Sequence, residues 1–316
     1  MSFHSSSAVK GSAWRAAARV IMPAPPPPGP TRADPDIPVF RGPGLPGALA
    51  RGLAIAALVM LPSLVIPGIP PETAHLVVLL ALFAATLTAY EYASPYPGLL
   101  EFRFGAPYNR TRYLVVGLAA LLLALLQRHA TDPGPLTETV AAFAAACGHL
   151  LSASASPVAL LAAVLPESVD AAERALVRDG AGLAFVLGLA VIAVSGGAMR
   201  LGLWPHSARP FNVWINLPTF EPTAGSDVVT RLRRQSALSL GVGLALPFLL
   251  PGVVLASTIL MQPVSLTSPL GYVWGIVLWA YFPVALIMRG MALGRVARLI
   301  EERRARMDPA LIDPDA

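Results

Sequence analysis

The chain holds a single cysteine, Cys147, and a single lysine, Lys10. One cysteine excludes an internal disulfide and any metal site built on several thiolates. Lys10 stands against twenty-two arginines. With 26 glycines, 32 prolines and abundant alanine, that skew fits the coding bias of a GC-rich bacterial genome. Charge is scarce as well: 13% of the residues carry it, against about 25% in an ordinary soluble domain. The five histidines (His4, His75, His129, His149, His206) are scattered, with no i, i+4 pair to hold a metal. HExxH, GxSxG and a glycine-rich phosphate loop are all missing. No catalytic residue, metal or cofactor is therefore expected, and the chain reads as non-enzymatic. His149 is the one candidate for a haem or pigment ligand; a lone histidine near an interface reads more simply as a packing residue.

What is plentiful is apolar surface. Fifty-five percent of the 316 residues are hydrophobic and the mean hydropathy is +0.63. A soluble globule of this size needs more polar residues to cover it. Disorder over most of the length needs the opposite composition. The expectation is an all-α integral membrane protein with several crossings, in the bacterial inner membrane. The formal charge of +5 is modest, and the arginines sit beside apolar segments. Their expected partners are anionic phospholipid headgroups at the cytoplasmic face, not nucleic acid.

Residues 1–47 form a polar, proline-rich cytoplasmic tail expected to be disordered. Residues 1–33 carry cations and no acid, yet no apolar core of a secretory signal follows; an organellar transit peptide has a similar look. Pro23 to Pro30 favours extended polyproline. Pro27, Pro30 and Arg32 match a P-x-x-P-x-R ligand pattern, for which a stiff linker is the simpler account. Residues 8–22 could form a short basic amphipathic helix on a membrane surface, with Val9, Trp14, Ala17 and Ile21 on one side.

Seven apolar segments follow: 48–68, 73–92, 113–127, 137–165, 181–199, 236–261 and 270–291. A span needs about 20 residues, and Lys and Arg near span ends stay on the cytoplasmic side. If all seven cross, the cations divide evenly and no bias remains. If 137–165 does not cross, twenty of the 23 Lys and Arg fall inside and only Arg128, Arg174 and Arg178 outside. Demoting 113–127 instead gives an equally good split. The leucine-rich core of 113–127 (Leu121, Leu122, Leu123, Leu125, Leu126) favours it as the span, with Arg110 and Arg112 snorkelling to lengthen it. The prediction is six transmembrane helices over 48–291 with both termini cytoplasmic. Segment 137–165 becomes a re-entrant or peripheral helix pair broken near Ser152–Pro157. Residues 292–316 form a basic amphipathic helix and tail, with Leu293, Val296, Leu299 and Ile300 on one stripe.

No Asp, Glu, Lys or Arg lies in the middle of any expected span, which argues against an ion- or proton-coupled carrier. Pro62, Pro247, Pro251 and Pro283 fall inside spans and should kink them. Ala237, Gly241 and Ala245, and likewise Ala184 and Gly188, repeat at four-residue spacing and read as packing faces within the chain.

Two connectors stand out, both expected on the cytoplasmic side. Residues 90–113 hold Tyr90, Tyr92, Tyr96, Tyr108 and Tyr113. Leu100, Glu101, Phe102, Arg103 and Phe104 alternate so that an extended strand would put charges and rings on opposite faces; Arg110 and Arg112 follow. Residues 203–221 hold Trp204, His206, Arg209, Phe211, Trp214 and Glu221. Interfacial belts account for aromatics at span ends, but not for rings far from either span. Aromatics and arginine are the types enriched in interface cores. The two loops are therefore expected to pack as a cap that docks a partner protein or forms a shallow headgroup pocket. Its residues are Tyr92, Tyr96, Glu101, Phe102, Arg103, Phe104, Tyr108, Arg110, Arg112, Trp204, Arg209, Phe211 and Trp214. The function expected from this is accessory, assembly or scaffold work. The alternatives are a transporter or flippase of a weakly charged or amphiphilic substrate, and a lipid-active enzyme using Glu91, Glu101, Arg103, Arg110 and Arg112.

Overall fold

The structure is a computed structural model that describes residues 44–94, 98–103, 105–205, 217, 227–260 and 268–312. Within these residues every regular element is a helix. In chain order they are α1 (Gly44–Val65), α2 (Pro71–Ala93), α3 (Ala106–His129), α4 (Pro135–Leu150), α5 (Pro157–Ala163), α6 (Ala171–Arg200), α7 (Val228–Leu260) and α8 (Pro269–Ile312). The proline-rich tail and its ligand pattern lie outside the described residues.

Local chemistry sets where the helices begin. Pro71, Pro135, Pro157 and Pro269 each open a helix, where the missing N–H costs nothing and the fixed φ already suits the turn. Ser156 accepts from Ala159 N at 3.0 Å. Asp170 accepts from Glu173 N at 2.7 Å. Both satisfy amides that no earlier turn of helix can reach.

Six of the eight helices are long and apolar enough to cross a membrane: α1, α2, Pro107–His129 of α3, α6, Val228–Val253 of α7, and Pro269–Arg306 of α8. The chain is a multi-pass helical membrane protein. Segment 137–165 is not among the spans. α4 has 16 residues, about 24 Å of helix at 1.5 Å per residue, short of a hydrocarbon core of about 30 Å. α5 has only 7 residues, and the chain turns between them over 151–156. The choice between 113–127 and 137–165 thus falls to 113–127, lengthened at its start through Pro107.

α8 runs unbroken for 44 residues. That is about 66 Å, twice the bilayer core, so its second half projects beyond it. It lines both halves of the interior. Toward its start, Tyr272, Val273, Ile276 and Val277 pack with Leu123 of α3, Val140 and Ala144 of α4, Val158 of α5 and Leu183 of α6. Toward its end, Met288, Leu293 and Val296 pack with Val229 and Leu232 of α7 and with Phe102 and Tyr108. The apolar stripe after residue 292 is thus covered by α7, and Arg233–Glu301 at 2.6 Å and Arg304–Asp227 at 2.9 Å tie the two helices beside it. α2 packs chiefly on α1. Its leucines 76, 79, 80 and 82 and Phe83 are exposed, as a lipid-facing surface requires.

Small residues seat the crossings. A Cβ on Gly182 would lie 2.6 Å from Gly148 N, so α6 and α4 meet backbone to backbone. A Cβ on Gly188 would lie 2.8 Å from Val284, in line with the packing role read for Ala184 and Gly188. The stripe Ala237, Gly241, Ala245 corrects that reading for α7. All three are exposed, and a Cβ on Gly241 would meet nothing within 4 Å. The packed face of α7 is instead Ser236, Ser239, Gly243 and Pro247, about 100° around the helix.

The helices continue through their prolines, with Pro62 inside α1 and Pro247 and Pro251 inside α7. Pro251 has no N–H for the carbonyl four residues earlier, that of Pro247. Trp279 of α8 supplies the donor: its Nε1 reaches Pro247 O at 3.3 Å in a buried position. A carbonyl left bare in hydrocarbon costs several kcal/mol, so this indole is matched to that proline. Trp279→Phe is expected to cost about 1 kcal/mol. In a Pro251→Ala background, which restores the helical donor, the hydrogen-bond part of that cost should vanish. Unfolding midpoints of the four proteins in one detergent measure it, and an equal loss in both backgrounds would contradict it.

Candidate functional site

The helix ends gather into two groups. At one end lie the starts of α1, α3 and α7, the ends of α2 and α6, and the second half of α8. Contacts between them include Arg51 over Tyr92 at 4.8 Å, Arg289 with Glu101, and Arg304 with Asp227. At the other end lie α4, α5 and the start of α6. There Arg128 pairs with Asp132, Arg178 pairs with Asp179 at 2.7 Å, and Arg174 donates to Ala162 O at 2.9 Å and Pro166 O at 3.0 Å. The arginine asymmetry read along the chain is therefore a spatial one.

The candidate cap is built at the arginine-rich end. α2 continues to Ala93 and α3 starts at Ala106, so the first connector is only 94–105. Tyr90 and Tyr92 belong to the last turn of α2, and Tyr108 to the first turn of α3. This corrects the idea of rings far from either span: helix outruns apolar sequence at both ends. The described part of the alternation, 100–103, does not form a strand either. Residues 98–103 turn, and Phe102 takes φ +52°, a left-handed conformation that is uncommon and strained for a large side chain.

Three anchors hold that turn. The Glu91 carboxylate, at the end of α2, accepts from Gly98 N at 3.1 Å, Leu99 N at 3.0 Å and Leu100 N at 3.3 Å. Arg103 folds back and donates to Ser94 O at 2.6 Å and Tyr92 O at 2.5 Å, placing a cation at the carbonyl end of α2. Phe102 O accepts from Gly105 N at 2.7 Å and from the Asn109 side chain at 2.8 Å. Burial pushes the Arg103 guanidinium down from its usual range, against the pull of Tyr92 and Glu91.

The two connectors meet through three rings. Phe102 and Tyr108 lie 4.7 Å apart, Phe102 meets Trp204 edge-on at 5.5 Å, and Tyr108 stacks on Trp204 at 5.4 Å. Gly105 makes room, since a Cβ there would come within 2.7 Å of the indole. Such pairs contribute about 0.5–1.5 kcal/mol each beyond area burial. Phe102 is 0% exposed and Tyr108 4%, so both rings are consumed inside the cap.

Two charged links fasten the cap to the helices. Arg289 of α8 grips Glu101 with Nε at 2.6 Å and Nη2 at 2.8 Å, and its Nη1 reaches Ser239 of α7 at 2.9 Å. Arg112 donates to the Tyr281 hydroxyl at 2.6 Å and lies over the rings of Tyr108 and Tyr281 at 5.5 and 5.8 Å. It therefore turns into the protein instead of snorkelling outward. Arg110 is exposed.

Of the thirteen expected cap residues, Tyr92, Glu101, Phe102, Arg103, Tyr108, Arg112 and Trp204 come together. Tyr96, Phe104, Arg209, Phe211 and Trp214 lie outside the described residues. Arg289, Ser239, Tyr281 and Gly105 complete the site without having been singled out for it. Arg289 is recognisable as the first charge after the apolar run 270–288, but its partner Glu101 is 188 residues away and no local pattern joins them. His149 is exposed at the end of α4. Among the described residues no group of three or more His, Cys, Asp or Glu is placed to hold a metal ion.

Removing one member of a desolvated ion pair strands the other, whereas removing both does not. Arg289→Met is expected to cost about 2 kcal/mol, and Glu101→Gln/Arg289→Met less than that. The order of the two unfolding midpoints in detergent is the readout; a double variant less stable than the single one would refute the pairing. No protein family, curated protein or solved structure matches this chain.

Proposed function

We propose that the chain is a non-catalytic accessory or scaffold component of the bacterial inner membrane, with both termini cytoplasmic, whose cap docks a partner protein. The observation that carries this reading is the Phe102–Tyr108–Trp204 cluster. It fuses two connectors far apart in sequence into one body before any partner arrives, and such preorganisation lowers the ordering cost of binding. Among the described residues, the outward side chains that could meet a partner include Leu99, Leu201 and Leu203, 65%, 78% and 58% exposed, together with Arg110. Exposed apolar side chains and an arginine are residue types that suit a protein interface.

The orientation follows from the arginine-rich end, which the insertion machinery keeps in the cytoplasm. The enzymatic reading has less support, because Glu91, Glu101, Arg103 and Arg112 are committed to holding the cap together. A carrier reading gains little from the packing between α3, α6 and α8. The void among Val116, Ala119, Leu187, Val277 and Ala280 is about 10 Å³, at the lower limit for one water molecule.

Two experiments test this. A periplasm-only phosphatase fused after Ala224 is expected to be inactive. Ser154→Cys, in the exposed turn between α4 and α5, is expected to react with an impermeant maleimide added from outside. The native Cys147 gives no background there, being buried with its thiol pushed up by desolvation. For docking, Leu99→Ser/Leu203→Ser should lower recovery of a stoichiometric partner by about tenfold or more with the unfolding midpoint unchanged. Undiminished recovery, or no stoichiometric partner from the native membrane, would remove the docking role.

A further inference from the structure

Beside the cap and independent of how it is used, the end of α6, the start of α7 and the middle of α8 enclose a groove of about 520 Å³. Its floor is a tight helix crossing. A Cβ on Gly290 would lie 2.9 Å from Ser236 O, and one on Gly294 would lie 3.0 Å from Ser236 Oγ. Ser236 in turn donates to Gly290 O at 2.7 Å. α7 and α8 are thus pressed together along the floor, while the α6 wall stands back. A Cβ on Gly197, which lines that wall, would meet nothing within 4 Å. The groove is open because α6 presents glycine to it.

Its lining is divided by polarity. Ile192, Leu240 and Met291 supply apolar walls, and Arg200 and Arg298 line the same groove. Ile192 lies eight residues before Arg200 on α6, and Met291 seven before Arg298 on α8. The two guanidiniums therefore sit about 10–12 Å nearer the helix ends than the apolar walls. Both arginines are exposed, and among the described residues neither forms an ion pair within 4.0 Å of a carboxylate. Arg233, Arg289, Arg295 and Arg304, at the same end, each do. Two exposed cations over an apolar trough at a membrane boundary complement a molecule with an anionic head and a hydrocarbon tail. The volume lies in the range of small-ligand sites. It suits a headgroup and the first part of an acyl chain, the remainder running over the exposed apolar flank of α6 and α7. A free phosphate would use the arginines and leave the walls unpaired.

We propose that this groove binds one anionic glycerophospholipid, with its phosphate between Arg200 and Arg298 and an acyl chain against Ile192, Leu240 and Met291.

The test uses the full chain in mild detergent, with phosphatidylglycerol or phosphatidylcholine added and bound lipid counted by native mass spectrometry. The native protein is expected to retain one phosphatidylglycerol in preference to phosphatidylcholine. Arg200→Gln/Arg298→Gln should weaken retention by about thirtyfold, whereas Arg234→Gln/Arg306→Gln, with the same loss of charge outside the groove, should retain it. Gly197→Trp fills the trough from an open position and should expel the lipid with both arginines intact. Inorganic phosphate in excess should not compete. Four outcomes would overturn the site: equal retention of the two lipids, full retention by either groove variant, displacement by phosphate (which would assign the arginines to a soluble anion), or no lipid retained by the native chain. Tryptophan-fluorescence midpoints matching the native protein's show that the charge variants are folded, and the comparison of lipids on the native chain needs no variant.

Discussion

One carboxylate and one guanidinium meet where the apolar helices end, and the arrangement of the arginine-rich end depends on them. Glu101 sits in a turn whose backbone is anchored to the end of α2 and whose Phe102 packs against Trp204, α7 and α8. Arg289 sits on the longest helix, just past its apolar run. Their two-pronged contact brings the first connector onto α8, and the third bond from Arg289 to Ser239 brings α7 to the same point. Neither charge is comfortable alone at a lipid boundary. Their mutual need selects one relative placement of four elements, and the aromatic cluster fills the space beneath.

The same accounting governs the backbone. In hydrocarbon no water stands ready to satisfy a stray carbonyl or amide. Pro251 creates one such carbonyl, and the indole of Trp279 answers it from the neighbouring helix. Glu91 answers three successive amides at the start of the turn, and Arg103 two carbonyls at the end of α2. Residues that look like candidates for chemistry along the chain are, in space, the groups that let the chain change direction beside a membrane. That is why so many of them sit in one connector: an abrupt reversal between two spans leaves more unpaired backbone than a long solvated loop.

Much of this was legible from composition and charge spacing, and the reasons are physical. Apolar runs and arginine placement report on the bilayer, which acts on each segment separately. They therefore gave six crossings and demoted 137–165 without any knowledge of packing. Helix boundaries were less legible, because α2 is closed at Tyr92 and Ser94 by Arg103 and α3 begins where Tyr108 packs on Phe102 and Trp204, contacts that no hydropathy window senses. The outward aim of Ala237, Gly241 and Ala245 was missed for a related reason. Small residues at four-residue spacing mark a smooth face but not which way it points. In α7 the direction is set by Ser236, Ser239 and Gly243, whose fit to α8 is known only once both helices are in place. Glu101 and Arg289 were each visible as charges, and their pairing was not, since 188 residues separate them.

The unbroken length of α8 has a mechanical corollary. A continuous helix of about 66 Å carries Trp279 at one level, Arg289 at the next and Arg304 near its far end, so that movement at one station is passed along to the others. Displacing the arm beyond Gly294 would load the hold of the indole on its proline carbonyl at the other side of that crossing. The helix is thus both the spine of the bundle and a lever with its fulcrum at the glycines that clamp it to Ser236.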